Sequence, residues 1–220
     1  MRLAVFDLDG TLVDSLPDLT DCVALLLAEY GLPAPAQETV RRMIGDGVAV
    51  LVERALDNAG PQAAAINRKS ATSRFMELYA PRVTEKSRLF PGTQEALEKL
   101  LSQNWKLAVC TNKPVAAAHD ILRTFGVLDD FAAVGGGDSF PTRKPDAGHL
   151  IGTIRQAGGT PARSIMIGDH SNDILAARSA RVRSIFAEWG YGVAVYAKDA
   201  NSKARHITDI PSLANMLLPS

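Results

Sequence analysis

The sequence predicts an α/β fold, a parallel sheet core covered by helices with a helical cap domain inserted after the first strand. Three observations carry this. Short apolar runs recur, each followed at once by a polar loop. Segments with helical spacing of apolar residues separate them, and such alternation implies right-handed crossovers into a parallel, Rossmann-like sheet. One long stretch, residues 15–85, breaks the alternation and carries helical signals alone.

The first element is the run 3–6, a buried strand that ends in Asp7-Leu8-Asp9-Gly10-Thr11. Ser15 and Pro17 then read as a cap and a first-turn proline. Leu19, Cys22, Val23, Leu26, Leu27 and Tyr30 line one helical face, which Gly31 and Pro33 bring to a stop. Further helices are expected over 38–44, 48–58 and 64–79, with Gly45-Asp46-Gly47 as an interruption. The core is thus expected to comprise residues 1–14 and 86–220, and the cap residues 15–85. A bundle joined by two linkers can open and close over a site on the sheet.

After the insert, a helix is expected over 93–103, with Ala96, Leu97, Leu100 and Leu101 on its apolar face. A strand over 106–110 leads into Thr111-Asn112-Lys113-Pro114, and Pro114 opens a helix over 115–125. The run 132–134 precedes Gly135 to Gly137, and a helix over 146–156 follows. The run 164–167 precedes Gly168-Asp169, with a helix over 173–180. The run 182–186 precedes Ala187-Glu188-Trp189-Gly190, and a weaker last strand is expected near His206-Ile207.

Composition narrows the function. The 220 residues are 46% hydrophobic and 22% charged, ordinary for a soluble globular protein. The 24 basic residues match the 24 acidic ones, which argues against a broad nucleic-acid surface but leaves room for a small anionic ligand. Cys22 and Cys110 have neither metal-type spacing nor a disulfide framework, and free thiols fit a cytoplasmic setting. No apolar stretch approaches a membrane span, and the run 3–6 is too short for a signal segment. No oligomeric state follows from these features.

The chemistry concentrates in two acidic loops, each directly after a strand: Asp7 to Thr11, and Gly168-Asp169-His170-Ser171-Asn172-Asp173. Open parallel sheets gather such loops at the carboxyl ends of their strands. Carboxylates that converge there repel one another unless a cation neutralises them, and oxygen-only ligands suit Mg2+ with a phosphate. An ionised aspartate can attack phosphorus, and a carboxyl group two residues on can protonate the leaving alkoxide and then activate water. Gly10 lets the loop turn sharply. Thr111 and Asn112, at a helix start, offer a hydroxyl and free backbone N–H groups to an anion. Lys144, before Pro145 in the Gly/Pro-rich loop 135–145, supplies a point charge. Asp173 either stands behind the metal site or charges the first turn of its helix. His119, His149, His170 and His206 read as bystanders, and both cysteines as packing.

Together these residues resemble the haloacid dehalogenase superfamily of phosphatases over essentially the whole chain. All four family motifs stand in order: Asp7 to Thr11, Thr111 after its apolar strand, Lys144-Pro145, and Gly168-Asp169 with Asp173. The resemblance implies Asp7 as nucleophile and metal ligand, and Asp9 as acid/base that lends its backbone carbonyl to the metal. It implies Asp169 as the other ligand, Asp173 behind it, and Thr111, Asn112 and Lys144 on the phosphoryl group. The cap loop with Gly45 and Gly47 faces the substrate in relatives, and Arg41 or Arg42 could pair with a substrate carboxylate. The simple alternatives are a helix break and a solvated face.

Within the superfamily, Asp9 weighs against dehalogenases, which lack it. The absence of lysine before Lys69 weighs against phosphonoacetaldehyde hydrolases, and Leu19 stands near the place of a mutase histidine. Residues 6–16, Phe90-Pro91-Gly92, Thr111 to Pro114 and Trp189-Gly190-Tyr191-Gly192 are most similar to bacterial phosphoglycolate phosphatases. The implied substrate is 2-phosphoglycolate. N-acetylmuramic acid 6-phosphate and pyrophosphate are alternatives, and a non-catalytic phosphometabolite-binding protein is an alternative of another class. Two residues depart from the pattern: Arg181 where a helix-ending glycine is usual, and His170 where a small hydroxyl residue is common.

Overall fold

The computed structural model describes residues 1–219 and divides into two compact units. The first comprises Met1–Asp14 and the chain from Leu89 onward; the second is Ser15–Arg88. The elements in chain order are β1 (Arg2–Phe6), β2 (Val13–Asp14), α1 (Leu16–Glu29), α2 (Gln37–Arg41), α3 (Val48–Asn58) and α4 (Arg68–Tyr79). They continue with β3 (Arg88–Leu89), α5 (Thr93–Ser102), β4 (Trp105–Cys110), α6 (Val115–Thr124), β5 (Phe131–Gly135) and α7 (Ala147–Gln156). The chain closes with β6 (Ser164–Gly168), α8 (Ser171–Ser179), β7 (Arg183–Ala187), β8 (Ser202–Ala204) and α9 (Ile210–Leu217).

In the first unit six strands form one parallel sheet in the order β5-β4-β1-β6-β7-β8. The central strands β1 and β6 are buried along their whole length, which is why they read as continuous apolar runs. Leu3 and Val5 join Leu150 and Ile154 of α7 and Ala176 and Ala177 of α8 in one cluster. Strand alternation sends Ala4 and Phe6 to the other face, where α5 packs on β4 and α9 on β7. β1 pairs Phe6 with Val109 on one side and with Ile167 on the other, so β1, β4 and β6 end at one level. The order reverses here: β4 and β5 extend to one side of β1, and β6 to β8 to the other. The register therefore delivers Asp7, Thr111 and Asp169 to the same edge, outside the carboxyl ends of the strands.

The second unit holds α1 to α4. Its buried residues include Leu19, Cys22, Val23, Leu26 and Leu27 from α1, Leu51, Val52 and Leu56 from α3, and Phe75 from α4. Asp18 is buried in it and accepts from the Ser87 hydroxyl at 2.6 Å and from the backbone N–H of Lys86 and Ser87 at 2.8 Å each. A separate two-stranded sheet forms from β2 and β3, where the chain leaves and re-enters the first unit.

Four local expectations need correction. The last strand is Ser202–Ala204, and His206 instead starts a single 3-10 turn at Ile207–Asp209. Leu101 is exposed on α5, whose buried face is Thr93, Ala96, Leu97 and Leu100. Ser15 precedes α1 without a side-chain cap, although the proline does stand in the first turn. α8 begins at Ser171, because His170 supplies its cap. Arg181 adopts the left-handed conformation (φ 55) where the chain leaves α8, a strain of about 1 kcal/mol for a residue with a side chain.

Candidate active site

Asp7 leaves β1 with its N–H donating to Ile167 O at 2.9 Å, which continues the sheet pairing by one residue. The chain then closes tightly: the N–H groups of Thr11, Leu12 and Val13 all donate to Leu8 O. Gly10 sits at φ 84, and a Cβ there would lie 2.5 Å from an Asp169 oxygen. Only glycine allows both the turn and this approach. The approach is used: the Thr11 hydroxyl donates to Asp169 Oδ1 at 2.9 Å.

Asp169 is anchored from a second side. The Tyr191 and Gly192 N–H groups donate to its Oδ2 at 2.7 and 3.3 Å. Trp189 Nε1 donates to Thr11 O at 3.0 Å, and the Tyr191 hydroxyl to Asp14 Oδ1 at 2.8 Å. The Trp189 to Gly192 segment thus clamps the two acidic loops together. The helix after Asp169 starts with a reciprocal cap. His170 accepts from the Asn172 N–H at 3.3 Å, and Asp173 Oδ2 accepts from the His170 N–H at 3.0 Å.

Asp7, Asp169 and Asp173 each offer a carboxylate oxygen within 4.8 Å of the others, and all three are buried. Burial is the main force raising Asp7 to a pKa of about 6, with Asp173 adding to it and Lys144 opposing. Burial, then the charges of Asp7 and Asp173, raise Asp169 to about 7. Carboxylates crowded in this way suit a divalent cation, since one bound there removes the repulsion that raises them.

Lys144 is the buried counter-charge. Its ammonium donates to Asp173 Oδ1 at 2.6 Å and lies 2.9 Å from Asp7 Oδ1, a charge contact off the line of a hydrogen bond. Burial works against the ammonium, but Asp173 and Asp7 outweigh it and hold its pKa well above the ordinary lysine value. Asn112 Nδ2 donates to Lys144 O at 3.0 Å, so Asn112 fixes the lysine loop. Thr111 is buried at the end of β4, and its N–H donates to Gly135 O at 2.9 Å. The first N–H of α6, on Val115, is taken by Asp138 at 2.8 Å, and Thr111 Oγ1 accepts from the Lys113 N–H at 3.3 Å. The Val115 N–H is therefore not among the donors that the start of α6 can offer an anion.

Arg41, Gly45 and Gly47 stand in the second unit. Arg41 ends α2, and Gly45 and Gly47 take φ values of 123 and 88 on either side of Asp46, which pairs with Arg54 at 2.6 Å. Every contact given above for the carboxylate site is made within the first unit.

Residues 4–187 match the family model of haloacid dehalogenase-like hydrolases, a span that includes Asp7, Asp9, Thr111, Lys144, Asp169 and Asp173. This chain belongs to the haloacid dehalogenase-like hydrolase family. It is an enzyme, a phosphoric monoester hydrolase by that membership and by its relatives. It is 41% identical to a phosphoglycolate phosphatase of Agrobacterium fabrum, over 86% of this chain and 81% of that one. It is 37% identical to a phosphoglycolate phosphatase of Caulobacter vibrioides, over 98% and 91% of the two chains. The crystal structure of a predicted phosphoglycolate phosphatase from Haemophilus somnus superposes with a TM-score of 0.90 at 34% identity, covering 97% of each chain.

Two residues of this haloacid dehalogenase-like hydrolase escaped the sequence reading. Lys113 donates to both Asp9 oxygens at 3.0 Å. His149, expected to be a bystander, is fully buried: its Nδ1 accepts from the Lys144 N–H at 3.1 Å and its Nε2 lies 3.3 Å from Gly135 O. That carbonyl also holds the Thr111 N–H, so one imidazole ties Lys144 and Thr111 to a common point. Burial, reinforced by the Lys144 charge, lowers the His149 pKa to about 4, so the ring is neutral and can accept the Lys144 N–H. Cys110 is inert packing, its thiol pushed up to about 12 by burial.

Proposed function

We propose that this protein is a magnesium-dependent phosphatase that hydrolyses 2-phosphoglycolate to glycolate and phosphate through an aspartyl-phosphate on Asp7. The observation that carries the reading is the buried group of Asp7, Lys144, Asp169 and Asp173, with an Asp7 oxygen held by a charge contact alone. The names of the relatives at 37–41% identity support the substrate.

In this reading the ionised Asp7 attacks phosphorus, the bond from phosphorus to the ester oxygen breaks, and Asp9 gives the leaving alkoxide its proton. Asp9 then takes a proton from water as the water attacks phosphorus, which releases phosphate and restores Asp7. Thr111, Asn112 and Lys144 hold the phosphoryl oxygens, with Asn112 also fixing the Lys144 loop. Asp7, the Asp9 backbone carbonyl and Asp169 would hold Mg2+, with Asp173 behind them on Lys144 and the His170 N–H. The cation supplies neutralisation of charge on the phosphoryl oxygens. Ser15–Arg88 serves as a cap, with Arg41, Gly45 and Gly47 toward the substrate, and the protein works in the cytoplasm on a small metabolite rather than on nucleic acid. Among the described residues no helix is long and apolar enough to cross a membrane.

The test is phosphate release from 2-phosphoglycolate, N-acetylmuramic acid 6-phosphate and pyrophosphate, with magnesium and after chelation. Preference for phosphoglycolate that vanishes on chelation is expected. Magnesium-dependent turnover of another ester keeps the chemistry and replaces the substrate. Magnesium-dependent binding with no turnover of any ester would favour a non-catalytic role.

The raised carboxylates predict a second result. A carboxyl group whose pKa is higher folded than unfolded adds stability at low pH and loses it as pH rises through the folded value. For Asp7 and Asp169 that loss runs from about pH 4 to about pH 7. Magnesium should therefore raise the melting temperature by several degrees at pH 8, where the carboxylates are ionised, and little at pH 5. Equal shifts at both pH values would contradict this account of the cluster.

A further inference from the structure

Lys113 and Lys144 are the two buried lysines among the described residues. Lys144 has two carboxylates of its own, Asp7 and Asp173. Lys113 has a different partner. Its side chain is 2% exposed, and its ammonium donates to both oxygens of Asp9. The turn that carries it is held by its backbone. Its N–H donates to Thr111 Oγ1, and its carbonyl accepts from the Gly137 N–H at 2.8 Å. Gly137 packs so closely on the Asn112 carbonyl that a Cβ there would collide with it. A long cationic side chain is thus brought inward from a loop where water could have served it, at a desolvation cost that needs a matched anion.

The next step rests on the proposed reading, in which Asp9 acts at the ester oxygen. The Lys113 ammonium, at 3.0 Å from Asp9, then stands beside the leaving group, while Lys144 serves Asp7 and Asp173. An Asp9 with both oxygens accepting from one ammonium is poorly placed to donate to an ester oxygen. We propose that Lys113 is a specificity-determining residue, whose ammonium transfers from Asp9 to a carboxylate carried one carbon beyond the ester oxygen of the substrate. The transfer exchanges one carboxylate partner for another, so the buried charge stays matched while Asp9 turns to the ester oxygen. An ester with a neutral tail offers no such exchange and leaves Lys113 on Asp9. The substrate class is therefore phosphate monoesters of short 2-hydroxy acids, and the carboxylate is read from the catalytic core rather than by Arg41 or Arg42.

The test compares kcat/KM, with magnesium, for 2-phosphoglycolate and for ethyl phosphate, which matches its length without the carboxylate. The wild type should favour phosphoglycolate. Lys113→Met should reduce that preference about 100-fold, through a larger loss on phosphoglycolate than on ethyl phosphate. Lys113→Arg, which keeps the charge, should hold the preference within about tenfold of the wild type. Lys113→Gln should behave as Met does and covers the case in which the Met variant fails to fold. Equal losses on both esters would overturn the proposal and reduce Lys113 to a holder of Asp9. So would a preference erased by Arg41→Gln and kept by Lys113→Met. A wild type that hydrolyses other esters but ignores the carboxylate overturns this inference and leaves the phosphatase reading standing, whereas one with no turnover of any ester overturns both.

Discussion

Asp7→Asn is expected to cut turnover by about 10^5-fold and, in metal-free buffer at pH 8, to make the protein more stable. The loss follows from the chemistry. An amide oxygen does not attack phosphorus, and no other carboxylate in the cluster can take its place: Asp173 is bound to Lys144 and the His170 N–H, and Asp169 to Thr11, Tyr191 and Gly192. The gain follows from burial. Asp7 moves from its ordinary 3.8 to about 6 because burial penalises its charged form. Ionising it in the folded protein at pH 8 therefore costs up to about 3 kcal/mol, which a neutral isostere avoids. Lys144 keeps its 2.6 Å bond to Asp173 in the variant. The stability difference should shrink as pH falls through about 6 toward 4, as wild-type Asp7 becomes protonated in the folded state, and vanish below the unfolded value of 3.8. Denaturant unfolding at the two pH values, beside a phosphate-release assay, measures both effects. Retained activity, or a variant less stable than the wild type at pH 8, would contradict the account.

Lys144→Met should harm both properties. Removing the cation proposed to face the phosphoryl group is expected to lower kcat/KM by about 10^3-fold, the scale of a lost preorganised charge. It also leaves Asp7 and Asp173 buried against each other without their shared ammonium. Breaking a buried pair in this way typically destabilises by about 3–5 kcal/mol. Methionine fills much of the lysine volume, so a cavity contributes little. The penalty includes that of ionised Asp7, whose pKa burial raises to about 6, so it should be largest at pH 8 and smaller at pH 5. A loss of stability equal at both pH values would point to packing instead, and activity within tenfold of the wild type would remove Lys144 from the phosphoryl site.

Most of the core was legible because its central strands are buried on both faces. β1 and β6 have no polar alternation to blur them, and each ends in an acidic loop. β8 is hidden in the sequence for the opposite reason. It is three residues long, lies at the sheet edge against β7 alone, and carries an exposed lysine, so it leaves no apolar run to read. Asp7, Asp9 and Asp169 are legible because short motifs at strand ends carry them, and Lys144 because it precedes Pro145 in a Gly/Pro-rich loop. The Lys113–Asp9 pair is not, because its members lie 104 residues apart and only the β1–β4 register brings them together. In the sequence His149 reads as a bystander, because a lone histidine in a helix usually is one. Its role comes from the lysine loop folding back onto β5, which no local pattern announces.

The central claim is that Asp7 carries the phosphoryl group, and the most direct test is to catch it there. Enzyme mixed with 32P-labelled 2-phosphoglycolate and magnesium, then quenched in acid within one turnover, should hold label on the protein. That label should map to the peptide containing Asp7, be lost in hydroxylamine, and be missing from Asp7→Asn. Turnover at full rate with no label on the protein, or label on any other residue, would contradict the account.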